Sequence, residues 1–368
     1  MSKVLLGTIS LDRMAGGLEK NIVLLANFLA GAGHDVELVT FDLPDATAFY
    51  ALDPRVCWRK VGRTRPHTRI GFAERFALIR RIHAVLAGST APIIVCFHHG
   101  ILFRFWAAAL GSRATVVCSE RNSLQLYEHV RQTRKWSLNF LLLAVVRRIT
   151  VQFPAYVDDY PGWLRGRIRV IPNPIEPMAQ QAAPATPDST GRFTLICVGR
   201  LCAQKNQLEL VRAFARLASR FPQWDLRIVG DGGDRAALET LVTELRLGDR
   251  VFLLGKSNQV PDLLGAAHLF CLPSLWEGFP NALAEAMSSR LPAVALRSCA
   301  GARDLIEHGV TGLLAGPGEL EATLAELMAA PERRAAMGAA AVTLTGRYSP
   351  QESFQRWQGL LDELQAPL

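Results

Sequence analysis

The sequence predicts an α/β protein made of two successive doubly wound, Rossmann-like halves. Three observations carry that prediction. Apolar runs of strand length alternate with helical periods from the first residues onward, the order that builds a parallel sheet covered by helices. The alternation stops once, at a proline-rich stretch, and then restarts. The chain has 368 residues, 49% hydrophobic and 20% charged, which fits about two to three domains of ordinary globular composition. A chain of this size buries roughly three quarters of the surface it exposes when unfolded. That excludes a disordered tail protein, a collagen-like fibre and a disulfide-stapled miniprotein.

The elements follow in order. Residues 3–9 read as a strand, and the loop LDRMAGG leads into a helix from Leu18 to Ala30. Gly31 to Gly33 end that helix, and DVELVTF begins the next strand. Further strands are predicted at 93–97 (IIVCF), 114–118 (ATVVC), 149–152 and 168–171 (IRVI), with helices between them. Pro172 to Gly191 has five prolines and little periodicity, so it reads as an interdomain linker. Beyond it, FTLICVG, WDLRIVG, RVFLLG, HLFCLP and PAVAL read as strands. Between them QLELVRAFARLASRF, DRAALETLVTELRL, PDLLGAA and NALAEAMSSR read as helices, and a helical region closes the chain. The expected division is a first domain over 1–173, a linker over 174–191 and a second domain over 192–346. Ligands of such sheets bind outside the carboxyl ends of the strands. Two such domains face to face would hold one in the cleft between them.

Seven cysteines are present, with no Cys-x-x-Cys pair, and most lie in strand-like runs. They read as buried free thiols in a reducing compartment, and no spacing suits a zinc site. The longest apolar run, Phe140 to Val146, falls far short of the ~18 residues of a membrane span. Ser10 and Asp12 interrupt the N-terminal apolar run too early for a signal peptide, so the expected location is cytoplasmic.

The net charge of +8 is unevenly spread: residues 1–180 carry 23 Lys and Arg against 13 Asp and Glu, the remainder 18 against 20. Two stretches dominate. Arg55 to Arg81 contains nine basic residues, and a second stretch combines Arg131, Arg134, Lys135, Arg147 and Arg148 with Trp136, Phe140 and Leu141 to Leu143. The second suits an interfacial helix on anionic lipid, which would place the protein on the inner face of the cytoplasmic membrane. An ordinary amphipathic helix packed on the core is the alternative. No nucleic-acid motif accompanies the basic residues, so nucleic acid is not an expected partner.

Three clusters could carry chemistry. Arg200 follows the strand FTLICVG, and Lys205 stands just before the next helix. A guanidinium fork, an ammonium and a positive helix end suit a diphosphate; a solvated basic pair near a helix cap is the plainer reading. G-x5-K-N lacks the G-K-[ST] of a Walker loop. The second cluster, Glu277 to Glu285, follows HLFCLP. Gly278 and Pro280 imply a tight turn there, with Asn281 as helix N-cap. A carboxylate such as Glu285 can accept from the hydroxyls of a ribose and Glu277 from a sugar hydroxyl, although two glutamates eight apart are weak on their own. The third is Gly16-Gly17 between a strand and a helix, which allows backbone to approach a phosphate but is common in such turns.

Together these clusters resemble the family 4 retaining glycosyltransferases of the two-domain GT-B fold. The matching pieces are GGLEK at 16–20, GAGHDVELVT at 31–40, IPN at 171–173, VGRLCAQKNQLELVRAF at 198–214, VGDGG at 229–233, LPSLWEGFPNALAEAM at 272–287 and GARDLIEHGVTGLL at 301–314. The resemblance implies that Arg200 and Lys205 hold the donor diphosphate and that Glu285 binds the nucleotide ribose. It implies that Glu277, with the turn Gly278, Phe279, Pro280 and Asn281, binds the donor sugar and its phosphate. Gly16 and Gly17 would approach from the other domain, Asn173 would lie at the hinge, and the segment 347–368 would cross back to the first domain. Where many members have a histidine, this chain has Glu120 in Ser119-Glu120-Arg121-Asn122. That glutamate would orient the sugar, assist the acceptor or simply pair with Arg121 or another cation. His98, His99, Arg121 and Asn122 are acceptor-side candidates, and a structural role is equally open for the two histidines.

The implied reaction moves a sugar from a nucleotide diphosphate sugar, UDP rather than GDP by default, to a saccharide or polyprenyl-diphosphate-linked saccharide. Cations aimed at the leaving diphosphate would stabilise it. No Asp-x-Asp occurs, so neither a metal nor another cofactor is expected. Retention is open to two routes, a covalent enzyme intermediate or same-face attack by the acceptor; no carboxylate is clearly placed for the first, and the resemblance implies the second, with the leaving phosphate taking the acceptor's proton. A nucleotide-sugar 2-epimerase of the same fold and a non-catalytic nucleotide-sugar-binding protein are the rival readings.

Overall fold

The computed structural model describes residues 3–14, 16–63, 71–89, 93–124 and 138–365. Its chain divides into two units, the first formed by Met1–Asn173 with Gln351–Leu368 and the second by Pro174–Pro350.

Unit 1 contains seven strands: β1 (Lys3–Gly7), β2 (Asp35–Thr40), β3 (Cys57–Lys60), β4 (Ile93–Phe97), β5 (Thr115–Ser119), β6 (Arg148–Val151) and β7 (Ile168–Val170). They form one sheet in the order β3-β2-β1-β4-β5-β6-β7, and every pairing is parallel. Helices cover both faces of such a sheet, so its central strands are apolar on both sides. Val4, Leu5 and Leu6 of β1 and Ile94 of β4 are accordingly fully buried. Unit 2 repeats the plan with β8 (Phe193–Val198), β9 (Trp224–Val229), β10 (Val251–Gly255), β11 (Leu269–Leu272), β12 (Ala293–Leu296) and β13 (Gly312–Ala315). Their order is β10-β9-β8-β11-β12-β13. In each sheet the order reverses beside the first strand, at β1/β4 and at β8/β11, which opens a crevice at the strand ends.

Two strands escape the sequence pattern. β3 (CWRK) is an edge strand with no apolar run, and β13 (GLLA) follows a turn too closely to stand out. The basic helix expected around 131–148 is also different. The described helix there spans only Leu138–Leu143, and Arg148 instead opens β6. Arg131, Arg134, Lys135 and Trp136 lie outside the described residues. Among the described residues, no helix is long and apolar enough to cross a membrane.

From Pro174 onward the proline-rich stretch belongs to unit 2, and hydrogen bonds tie it down. Ala182 donates its N–H to the Ser289 carbonyl at 2.8 Å. The fully buried Arg334 donates to the Pro184 carbonyl at 2.8 Å and to those of Leu327 and Met328. Its guanidinium lies 4.8 Å over Phe193 and 4.9 Å over Trp224. Three carbonyls and two rings replace the water a buried cation loses. Burial nevertheless lowers its pKa to about 10, so it stays charged at neutral pH.

The last helix, Pro350–Gln365, closes the core of unit 1. Trp357 stacks on Phe97 with ring centroids 6.1 Å apart, and Phe354 stacks on Phe28 at 4.2 Å. Ser353 donates to the Pro172 carbonyl at 2.8 Å, and Glu363 accepts from both Arg148 and Arg169. Trp357→Ala therefore removes a buried ring shared by helix and sheet, and we expect it to destabilise unit 1 by about 3–5 kcal/mol. Hydrogen exchange will check this: amides of β1 and β4 lose protection while those of β8 and β11 keep theirs.

Candidate functional site

In unit 2 the two predicted clusters meet at the carboxyl ends of the neighbouring strands β8 and β11. A short 3₁₀ turn, Ala203–Lys205, follows β8 and leads through Asn206 into the helix Gln207–Leu217. Asn206 adopts the left-handed conformation (φ 55°), which asparagine tolerates better than most residues. The turn is stitched to the β11 loop by Gln204 Nε2 to the Trp276 carbonyl (2.8 Å), Asn206 Nδ2 to the Pro273 carbonyl (3.2 Å) and Leu275 N to the Gln204 carbonyl (2.9 Å). Gly230 makes room beside it. It has φ 137°, and a Cβ there would stand 2.0 Å from the Gly199 oxygen.

This stitching brings Lys205 Nζ to 2.5 Å from Glu277 Oε1. Glu277 is 6% exposed. Burial alone would lower the lysine's pKa, but the carboxylate outweighs it and holds the ammonium above its ordinary value. The thiols of Cys197 and Cys299, buried nearby, are pushed up to about 12 by burial, so they are neutral. Arg200 differs from Lys205. Its carbonyl accepts from Gln207 Nε2 at 3.0 Å, while its side chain is exposed and its guanidinium has no partner among the described residues. The turn Gly278, Phe279, Pro280 is buried, and the helix starts at Asn281. Pro280, not Asn281, occupies the N-cap position, with no side-chain cap. The proline's fixed φ starts the helix one residue earlier than the expected asparagine cap. Glu285 lies in the second turn of that helix, half-buried.

In unit 1 the acceptor-side candidates also gather, at the ends of β4 and β5. Glu120 is 2% exposed. It pairs with His99 rather than Arg121: Oε1 accepts the His99 backbone N–H at 3.0 Å, and ring Nδ1 lies 3.0 and 3.1 Å from the two carboxylate oxygens. Cys118 Sγ adds a contact at 3.5 Å. Burial works against the carboxylate's charge, but the two histidines and these donors hold its pKa well below the usual carboxylate range. Burial likewise works against an imidazolium, yet Glu120 raises the pKa of His99. His98 has the strained φ of 90° and caps the following helix by accepting from Gly100 N at 3.0 Å. Backbone strain of this kind concentrates at functional sites.

Arg121 donates to Asn173 Oδ1 at 2.7 Å and stacks over Phe97 and Trp357. It thus ties the strand end to the C-terminal helix, while Asn122 is half-buried beside it. Gly16 is the N-cap of the helix Gly17–Gly31. A Cβ on Gly16 would stand 2.1 Å from Glu19 Oε2, so this chain's own carboxylate lies where a helix N-terminus favours an anion.

Two family models match consecutive stretches of the chain: "Glycosyltransferase Family 4" over residues 15–178 and "Glycosyl transferases group 1" over residues 180–343. The chain is 31% identical over 263 residues to the UDP-Gal:alpha-D-GlcNAc-diphosphoundecaprenol alpha-1,3-galactosyltransferase of Escherichia coli, covering 66% of this chain and 60% of that one. It is 26% identical over 312 residues to a Campylobacter jejuni enzyme, covering 82% of each. That relative is the GalNAc-alpha-(1->4)-GalNAc-alpha-(1->3)-diNAcBac-PP-undecaprenol alpha-1,4-N-acetyl-D-galactosaminyltransferase. With other curated relatives the match spans about half of their length or less (48%, 39% and 23%). Among solved structures, the lipopolysaccharide outer core galactosyltransferase WaaB superposes with a TM-score of 0.73 at 19% identity over 99% of both chains. The two Rossmann-like units are those of the GT-B fold.

The His99–Glu120 pair makes a pH prediction. A histidine whose pKa is raised by folding contributes stability below its unfolded value, about 6.5. That contribution is lost as pH rises through the higher folded value. Thermal unfolding followed from pH 6 to 9 should therefore show a loss of stability in the wild type that is absent from His99→Gln.

Proposed function

We propose that this chain, which belongs to the family 4 glycosyltransferases, is a retaining enzyme that moves a hexosyl group from a UDP-sugar to a lipid-linked saccharide. The observation that carries the reading is the cationic end of β8: an exposed Arg200 guanidinium, without a partner among the described residues, beside a Lys205 ammonium held charged by Glu277. Breaking the bond between sugar and diphosphate leaves negative charge on the departing oxygens while the sugar gains oxocarbenium character. Groups already charged and already oriented stabilise that charge without reorganising. Lys205 has three protons, of which Glu277 engages one, so two remain for phosphate oxygens. Glu285 would take the ribose hydroxyls, and the buried turn from Gly278 to Asn281 the donor sugar and its phosphate.

The two carboxylates nearest these strand ends support same-face attack. Glu277 is bound to Lys205 and Glu120 to His99, so both carboxylates are engaged by a neighbouring basic group rather than left free to attack the anomeric carbon. The leaving phosphate then takes the acceptor's proton. In unit 1, His99 meets the acceptor and Glu120 is the positioning residue that fixes its tautomer. The UDP donor is that of the Escherichia coli relative, and an undecaprenol-diphosphate-linked acceptor is common to the Escherichia coli and Campylobacter jejuni relatives. The setting that follows is bacterial glycan synthesis at the cytoplasmic face of the membrane.

Arg200→Ala and Lys205→Ala should each lower turnover by about 10²-fold or more, the scale for losing one oriented electrostatic group. Near-wild-type rates in both variants, measured with a UDP-sugar and a diphosphate-lipid acceptor, would remove the diphosphate assignment. Because the chain supplies its own cations, exhaustive chelation should leave the initial rate unchanged. Loss of activity restored by a divalent metal would contradict the metal-free reading.

A further inference from the structure

The sheet of unit 1 has a second opening, at the end away from His99 and Glu120. Where β5, β6 and β7 begin, a cavity of about 530 Å3 is walled by Trp106, Ser112, Arg147, Arg148 and Arg167. Every charged residue in its lining is an arginine. Arg148 is paired with Glu363, a carboxylate it shares with Arg169. Arg167 donates to the carbonyls of Ala144 and Val146, which orient it and leave its charge intact. The Arg147 guanidinium has no partner among the described residues. Two positive charges therefore face the cavity without a carboxylate among the described residues. The helix His99–Ala109 ends here, but a helix C-terminus carries only about half an elementary negative charge, too little to offset both.

The rim has the opposite character. Leu110 is 57% exposed on one side, and Val145 (45%) and Leu141 (53%) are exposed near the other. Leu110 and Val145 are themselves lining residues. Cations inside with hydrocarbon around the mouth match a headgroup phosphate whose acyl chains begin at the same depth. A water-soluble phosphate would need no apolar rim.

We propose that this cavity seats the phosphate of an anionic membrane phospholipid, with Leu110 and Val145 entering the acyl boundary. The inference rests on the membrane setting proposed above and adds a docking site distinct from the donor site of unit 2. It is tested on the full chain by sedimentation with phosphatidylcholine vesicles with and without phosphatidylglycerol. The wild type should bind only the vesicles containing phosphatidylglycerol, more weakly as salt rises. Arg147→Glu should weaken that binding by about tenfold or more, since it reverses a charge at the surface, and Val145→Asp should weaken it too. Both variants should keep the protection against heat that UDP gives the wild type. No sedimentation of the wild type, or equal binding by the variants, overturns the inference. So does binding that survives Arg147→Glu but is lost when Arg131, Arg134 and Lys135 are changed to glutamine. If inorganic phosphate alone moves the Trp106 indole signal as far as the vesicles do, the site takes free phosphate and the lipid assignment fails. Absence of any UDP effect on the wild type would instead count against the transferase reading, leaving the vesicle result to stand by itself.

Discussion

The buried pair Lys205–Glu277 is the constraint on which the candidate donor site depends. Taking a lysine and a glutamate out of water costs several kcal/mol per ion, and only a short, well-satisfied contact offsets it. The loops after β8 and β11 must therefore hold one relative position, and three hydrogen bonds from Gln204, Asn206 and Leu275 hold it. Removing either charge leaves the other stranded in a poorly solvated place. The pair is thus better understood as a device for orientation than as a source of stability, and Arg200, exposed beside it, keeps its charge outward.

Unit 1 solves a related problem with different residues. Its strand ends carry a glutamate that is almost fully buried, satisfied by a histidine's backbone and ring. Next to it, Arg121 is spread between Asn173, Phe97 and Trp357. In both units a carboxylate is committed internally and a basic group is thereby aimed.

Much of this is legible in the sequence. Strands buried on both faces, such as IIVCF and FTLICV, announce themselves as unbroken apolar runs. The residues that follow them at the crevice are then candidates by position alone. What the sequence hides is pairing across distance. Glu120 sits beside Arg121 in the chain but bonds His99, because alternate residues at a strand end point to different neighbours. The proline-rich stretch reads as an interdomain linker because prolines break periodicity. Its anchor is Arg334, 150 residues away at Pro184, which no local pattern reveals. β3 escaped because an edge strand half-exposed to water needs no apolar run.

The helix Pro350–Gln365 completes a core whose other members lie almost entirely before residue 174. On the ribosome this imposes a sequence of events. The first unit is translated early, yet it must wait for Trp357, Leu360 and Leu361 while the whole second unit is synthesised, roughly ten to thirty seconds at typical elongation rates. During that interval its sheet carries an uncovered apolar seam. Nascent chains of this protein should consequently engage holdase chaperones through their earliest-made half, and release should follow synthesis of the helix Pro350–Gln365 rather than completion of either sheet.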